Sequence, residues 1–324
     1  MAHDPAAGQA RRSVPPGAGA GAGAASAAGA VRELFDPPVL ELAEVVPDSG
    51  EHGSLVFRVR TAREHVIART FRLPEATGPF WGTLRTLFGT NPLDVSEVVA
   101  AHRLLGPVSP IPVPGVLRVR TAGSRGWVVV ELMPGSRLRT FAELSDGGLA
   151  EFGRSLAGIH ARASGSLGTP SGSVRFAPGA FPGRLAAVLR GAAGKRAGGT
   201  GPGSGGDSGW EAVAAAAAAL PPPEAGVPVM PDISPGQFLR RRGRITAMVD
   251  VDAYVLGPRE LDLVFLEFFV DDRAAALIAR GYRDVLPFPR LARVRAVYRR
   301  LGRLLRIRED LGPGEWPAWP EFFR

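Results

Sequence analysis

The chain contains no cysteine, and only one of its 39 basic residues, Lys195, is a lysine. The lack of cysteine excludes disulfide bonds, thiol catalysis and cysteine-ligated metals. The scarcity of lysine beside abundant alanine, glycine, proline and arginine indicates the compositional bias of a GC-rich genome rather than a nucleic-acid surface. The formal net charge of +8 suits an anionic small molecule as well as DNA, so the charge is not by itself evidence of a nucleic-acid surface. We expect no nucleic-acid partner.

No apolar run approaches the roughly 20 residues that a membrane-spanning helix needs. Arg11, Arg12 and Ser13 resemble a twin-arginine signal, but Pro15 and Pro16 follow directly, and residues 17–30 contain no Leu, Ile or Phe. Such a stretch is a poor hydrophobic region for a signal peptide. We therefore expect a cytoplasmic protein without a membrane partner.

Composition and periodicity divide the chain into a tail and two lobes. Residues 1–30 are an Ala/Gly/Pro stretch that is expected to be disordered. Residues 31–133 (the N-lobe) predict about five antiparallel strands and one helix, for which Asp94 is the expected N-cap. Residues 134–324 (the C-lobe) predict mainly helices, with a Gly-rich flexible loop at 191–209. The fold class is therefore α+β with two lobes.

Three carboxylates stand where apolar strands end. Asp232 lies in a Pro/Gly-rich loop, and Asp250 and Asp252 follow the next strand, eighteen and twenty residues later. Carboxylates at neighbouring strand ends can share one site, where one accepts a proton from a hydroxyl and another holds a divalent cation. Phosphoryl transfer needs that combination.

The segment from Val229 to Leu263 resembles the catalytic region of aminoglycoside phosphotransferases and related choline-type kinases, which have a protein-kinase-like fold. The resemblance implies that Asp232 is the catalytic carboxylate and that Asp250 binds Mg²⁺. Asp262 corresponds to a mainly structural aspartate of that family. The resemblance thus implies transfer of the γ-phosphate of ATP or GTP to a hydroxylated small molecule, by a monomer or a homodimer.

Two positions depart from the family's catalytic loop, His-x-Asp-x-x-x-x-Asn. Met230 replaces the histidine, and Gln237 replaces the asparagine. Gln237 retains an amide oxygen for the metal, one methylene further out. Asp252 is either a second metal ligand or a hydrogen-bonding carboxylate. Because Mg²⁺ demands near-octahedral geometry, a catalytically weak, pseudokinase-like nucleotide-binding or scaffold protein stays open as the alternative.

The resemblance also implies a nucleotide site in the N-lobe. Arg69 takes the place of the family's phosphate-binding lysine. Glu97 is either its ion-pair partner or a capping-box residue of the helix that Asp94 begins. Glu131 and Met133 correspond to the hinge whose backbone binds adenine. The nucleotide-covering turn contains Ser49, Gly50, Gly53 and Ser54.

The sequence indicates two further features of the C-lobe. His160 lies in the core helix and is expected to be structural rather than catalytic. The acceptor molecule is not identified by any motif, but the basic character of the chain disfavours a polycationic aminoglycoside.

Overall fold

A computed structural model describes residues 27–45, 53–72, 78–122, 125–197, 209–312 and 314–324. Two site residues predicted from the sequence, Ser49 and Gly50, lie outside these ranges. None of the described helices combines the length and the apolar character that crossing a membrane requires.

The N-lobe contains a five-stranded antiparallel sheet, as predicted, in the strand order β1-β2-β3-β5-β4. Its strands are β1 (Glu41–Glu44), β2 (Ser54–Arg60), β3 (His65–Phe71), β4 (Val116–Ala122) and β5 (Arg125–Glu131). Alternate residues of β2, namely Leu55, Phe57 and Val59, are buried in one cluster with Trp127. The alternation that predicted this strand therefore identifies the face that packs on the core.

Two of the described helices lie between β3 and β4 in the sequence. Helix α1 (Pro79–Phe88) was not predicted; Pro79 stands in its first turn, and Gly89 ends it in the left-handed region at φ 88°. Helix α2 (Val95–Leu105) begins where predicted, because the side chain of Asp94 accepts a hydrogen bond from the backbone of Ser96.

The C-lobe is mainly helical, as predicted. Its helices are α3 (Asp146–His160), α4 (Phe181–Ala197), α5 (Gly209–Ala218), α6 (Glu260–Leu266), α7 (Asp272–Arg283), α8 (Arg295–Leu305) and α9 (Glu315–Ala318). Its short strands are β6 (Ser136–Arg137), β7 (Leu167–Gly168), β8 (Arg175–Phe176), β9 (Val227–Val229), β10 (Phe238–Arg241), β11 (Arg244–Met248) and β12 (Val255–Gly257). They form two small sheets, β11-β10-β6 and β8-β7-β12-β9, and the loops after β9 and β11 carry Asp232, Asp250 and Asp252.

Two segment predictions need correction. Residues 191–197, expected to be loop, continue helix α4, because alanine and arginine around the glycines sustain the helix. Residues 27–30 belong to a helical segment, and Ala27 is buried against the sheet cluster, so the tail prediction fails for these four residues. Apolar contact with the sheet supplies the stability that their composition lacks.

A buried carboxylate anchors residues 315–324 to the C-lobe. Glu267 is fully buried and accepts hydrogen bonds from Arg295, from Arg299 and from the backbone N–H of Phe323, each at 3.1 Å. Arg299 also donates to the carbonyl oxygen of Trp319 at 2.6 Å. These residues form the Glu267 cluster, in which a buried carboxylate is matched by two guanidinium groups.

Candidate active site

The loop after β9 places Asp232 beside Gln237. Residues Pro235–Gln237 form one turn of 3₁₀ helix, which directs the Gln237 amide back along the loop. Its Nε2 donates to Oδ2 of Asp232 at 2.8 Å. The other oxygen of Asp232, Oδ1, is buried and has no hydrogen-bond partner among the described residues. One oxygen thus fixes the side chain, and the second is left for a ligand.

A buried chain of hydrogen bonds holds this loop from behind. The backbone N–H of Met230 donates to Oδ1 of Asp262 at 2.7 Å. Oδ2 of Asp262 lies 3.2 Å from Nε2 of His160, and Nδ1 of His160 lies 3.0 Å from the hydroxyl of Tyr282. These contacts support structural roles for His160 and Asp262. The backbone N–H of Met230 braces the loop although the side chain has no polar group.

A second segment brings Asp250 and Asp252 to the same place. The backbone N–H of Val249 donates to the carbonyl oxygen of Gln237 at 2.8 Å, which joins the end of β11 to the catalytic loop. Asp250 adopts the left-handed conformation at φ 60°, and Asp252 lies on the 3₁₀ turn Val251–Ala253. The sequence prediction that the three aspartates converge on one site is consistent with this geometry.

Arg69 binds both of these aspartates. Its Nη2 lies 2.5 Å from Oδ1 of Asp250 and 2.5 Å from Oδ2 of Asp252, and it donates to Oγ of Ser54 at 3.3 Å. Burial alone would lower the pKa of the guanidinium, but Asp252 and Asp250 together raise it, so Arg69 stays charged. Arg69 therefore connects β3 of the N-lobe to the carboxylates of the C-lobe.

The predicted ion pair between Arg69 and Glu97 is wrong. Oε1 of Glu97 accepts hydrogen bonds from the hydroxyls of Ser171 and Ser173, each at 2.5 Å. Both serines lie between β7 and β8 of the C-lobe. Glu97 consequently joins helix α2 to the C-lobe, whereas the charge of Arg69 is balanced by Asp250 and Asp252.

His102 is a site-facing residue that the sequence analysis missed. It is buried on helix α2, and its Nδ1 lies 2.8 Å from the carbonyl oxygen of Pro114, so Nδ1 carries the proton. Burial and, as the second cause, the charge of nearby Arg69 lower its pKa to about 4. A neutral imidazole therefore lies near the charged side chains of Arg69 and Asp250. No sequence signal marks it, because a single histidine in an amphipathic helix is usually a core residue.

Of the other predicted nucleotide-binding residues, Gly53, Glu131 and Met133 lie in or directly beside strands of the N-lobe sheet. The carbonyl oxygen of Gly53 accepts from the backbone N–H of Arg72 at 2.7 Å, and a Cβ at Gly53 would lie 2.8 Å from the Phe71 ring. The backbone N–H of Glu131 donates to Gly115, and its carboxylate accepts from the N–H of Gly115 at 2.9 Å. Met133 follows β5, where the chain leaves the N-lobe sheet.

Desolvation and like charge dominate the electrostatics of Asp232. Burial raises its pKa well above the usual value, and the negative charge of Asp250 raises it further. A carboxylate with a raised pKa is a stronger base than an ordinary aspartate. The carboxylate is thus suited to accept a proton from a bound hydroxyl.

The oxygen ligands at the site suit a magnesium ion that is coordinated jointly by the protein and by the phosphates of a nucleotide. Asp250, Asp252 and Gln237 offer carboxylate and amide oxygens, and Oδ1 of Asp252 is buried without a described hydrogen-bond partner. The part of the chain that the structure describes contains no group of three or more acidic or histidine side chains arranged to hold a metal. Because Mg²⁺ is usually bound by one or two carboxylates together with substrate phosphates, a complete protein cage is not required.

The carboxyl of Asp252 should give the stability of the protein a measurable pH dependence. Burial raises its pKa from the usual 3.8 to about 6, although neighbouring Arg69 opposes the rise. The folded protein binds this proton more tightly than the unfolded chain, so the stabilising contribution is complete below the unfolded pKa and is lost as pH rises through 6. Between about pH 4 and 7, the unfolding free energy of the wild type should fall relative to Asp252→Asn by on the order of 2–3 kcal/mol.

Urea denaturation at several pH values measures this difference. Asp284→Asn is the matched control, because the Asp284 side chain is 51% exposed in an ion pair with Arg154. A wild-type-minus-Asp252→Asn difference that does not change with pH would contradict the raised pKa.

The sequence profile of the phosphotransferase enzyme family matches residues 44–301, which include every residue described above at the site. The chain belongs to the phosphotransferase enzyme family. The predicted resemblance to aminoglycoside phosphotransferase-like kinases is thereby confirmed. No curated protein sequence matches the chain.

Solved structures of phosphotransferases share the fold. The macrolide 2′-phosphotransferase MphH from Brachybacterium faecium aligns with a TM-score of 0.53 and 19% identity over 81% of this chain and 84% of that one. A thermostable mutant of the aminoglycoside phosphotransferase APH(4)-Ia, in ternary complex with AMP-PNP and hygromycin B, aligns with a TM-score of 0.57 and 18% identity over 91% and 95%. A fructosamine-3-kinase from Haemophilus somnus 129PT gives a TM-score of 0.56 and 13% identity over 86% and 88%. At these identities, the likeness shows the fold.

Proposed function

We propose that this family member transfers the γ-phosphoryl group of ATP to a hydroxyl of a small molecule. The observation that carries the proposal is the state of Asp232. One oxygen is held by Gln237 at 2.8 Å, and the other is buried without a described partner beside Asp250. The AMP-PNP and hygromycin B bound to APH(4)-Ia support a nucleotide and a hydroxylated acceptor as substrates.

In the proposed reaction, Asp232 orients the acceptor hydroxyl and accepts its proton. The acceptor oxygen forms a new bond to the γ-phosphorus, the bond from that phosphorus to the β–γ bridging oxygen breaks, and the nucleoside diphosphate leaves with the bond's electron pair. Mg²⁺ bound with the nucleotide would neutralise phosphate oxygens, and Asp250, Asp252 and Gln237 are the residues that would hold it.

Other residues of the cleft would bind the nucleotide. The Arg69 guanidinium, which already lies beside Ser54 of β2, would bind phosphate oxygens, for which its planar geometry is well suited. No described residue accepts a hydrogen bond from the backbone N–H of Met133. That N–H, together with the backbone carbonyl of Glu131, would bind the nucleotide base.

One observation favours the second candidate, a nucleotide-binding protein with little turnover. Arg69 contacts both Asp250 and Asp252 at 2.5 Å, so these carboxylates are neutralised without a metal. A protein in which this ion pair persists would bind nucleotide through Arg69 and leave the carboxylates unavailable. Turnover, rather than binding, separates the two candidates.

The test combines binding with product formation. Mg·ATP should raise the melting temperature of the full chain, and a panel of hydroxylated compounds should yield at least one phosphorylated product by mass spectrometry. Stabilisation by Mg·ATP with no product from any compound would favour the second candidate. No stabilisation and no product, with either ATP or GTP, would overturn both.

A further inference from the structure

A cavity of about 360 Å³ opens beside the catalytic loop, within the roughly 300–1,000 Å³ of small-molecule sites. Pro235, three residues after Asp232, forms part of its wall, so the cavity borders the loop that carries the proposed base. The opposite wall comes from the segment that follows helix α6. Its lining includes Arg139, Thr140, Pro235, Phe269, Asp271 and Arg308.

The carboxylate in the lining of this cavity and two carboxylates behind it each have a hydrogen-bond or ion-pair partner within the protein. Asp271 accepts a hydrogen bond from the backbone N–H of Ala274 at 2.7 Å and begins helix α7. Behind the lining, Glu143 is paired with Arg240, and Asp146 is paired with Arg273. The acidic side chains near the cavity are therefore committed to guanidinium groups or to a helix N-terminus.

The two arginines of the lining differ in their contacts. Arg308 binds Asp310 through two hydrogen bonds of 2.7 and 2.6 Å, and its guanidinium lies over the Trp319 ring at 5.0 Å. Arg139 is exposed, and among the described residues none forms a hydrogen bond or an ion pair with its guanidinium. Arg139 thus carries a positive charge in the lining that no described side chain pairs with, whereas Asp271 accepts a hydrogen bond at the N-terminus of helix α7.

We propose that this cavity binds the acceptor, and that the acceptor is a small hydroxylated carboxylate whose anionic group pairs with Arg139. Phe269 and Pro235 offer an apolar surface for its carbon skeleton, and the hydroxyl would extend along Pro235 toward Asp232. A polycationic acceptor would instead face Arg139 without an uncommitted carboxylate in the lining. The assignment of the ligand as acceptor rests on the proposed function; its binding at Arg139 does not.

Three probes of one shape isolate the charge: 3-phenyllactate is anionic, 3-phenylpropane-1,2-diol is neutral, and phenylalaninol is cationic. Titration calorimetry with the full chain should show 3-phenyllactate binding about tenfold more tightly than the diol, as a charge-assisted hydrogen bond at a half-open site would give. Phenylalaninol should bind most weakly. Arg139→Gln should remove the preference for the anion, and Arg139→Glu should reverse it in favour of phenylalaninol.

Arg162→Gln is the matched control, because Arg162 is an exposed arginine just after helix α3 and outside the cavity lining. It should leave the tenfold preference intact. Equal binding of the three probes, a preference for the cation, or the same loss in Arg139→Gln and Arg162→Gln would overturn the proposal. Because no nucleotide is added, a protein that ignores Mg·ATP but shows the Arg139 dependence would refute the kinase function and leave the carboxylate site standing.

Discussion

Replacing Asp232 with asparagine should lower the rate of phosphoryl transfer by about 100- to 10,000-fold, the usual contribution of a general base. Asparagine has the same shape and retains an oxygen that can accept the 2.8 Å hydrogen bond from Gln237. It cannot accept the proton of the acceptor hydroxyl. The loss should therefore appear in kcat, while the dissociation constant for Mg·ATP changes little.

The rate is measured with the best acceptor found in the compound panel, and nucleotide binding is measured by calorimetry. Asp284→Asn makes the same chemical change at an exposed position on the C-lobe and should leave both quantities unchanged. Retention of more than a tenth of the wild-type rate in Asp232→Asn would remove Asp232 from the base role. Loss of nucleotide binding along with the rate would indicate a structural role instead.

Replacing Arg69 with methionine should destabilise the protein by about 3–5 kcal/mol, because breaking a buried ion pair leaves an uncompensated charge. The side chain of Arg69 is 8% exposed and that of Asp252 is 4% exposed, so water cannot replace the lost guanidinium. Asp250, at 41% exposed, should contribute less. Chemical denaturation of the wild type and the variant measures the change.

Two companion variants make this stability test specific. Arg60→Met removes an exposed arginine that pairs with Glu41 on the N-lobe sheet, and it should change the unfolding free energy by less than about 1 kcal/mol. The double variant Arg69→Met with Asp252→Asn should recover part of the loss, because the unpaired carboxylate is gone. Equal effects of Arg69→Met and Arg60→Met, or no recovery in the double variant, would contradict a buried pair.

The sequence correctly predicted those strands and helix ends that depend on interactions between residues close together in the chain. Alternating residues such as Leu55, Phe57 and Val59 identified a strand because a half-buried strand has a period of two. Asp94 identified the start of helix α2 because a carboxylate that accepts a backbone hydrogen bond fixes a helix end. Helix α1 escaped prediction although Pro79 is a usual first-turn residue, and its burial depends on contacts with helices that are distant in the sequence.

The sequence predicted the site residues that lie within one short segment of the chain. It did not predict the contacts between residues that are far apart in the chain. The spacing of Asp232 and Asp250 placed both beside a common loop. The partner of Glu97 was missed, because the serines that bind it lie more than 70 residues away along the chain. The pairing of Arg69 with two aspartates was also missed. It spans both lobes, and only their mutual packing decides which carboxylate reaches the guanidinium.

Through the Glu267 cluster, residues 315–324 supply hydrogen bonds to buried groups in the interior of the C-lobe. Glu267 directly precedes Phe268 and Phe269, and Phe269 forms a wall of the cavity beside the catalytic loop. A nonsense mutation at Glu315 would leave the buried carboxylate without the Phe323 N–H, and would leave Arg299 without the carbonyl of Trp319. For the gene, an early stop that removes so few codons is therefore equivalent to a lesion in the middle of the C-lobe.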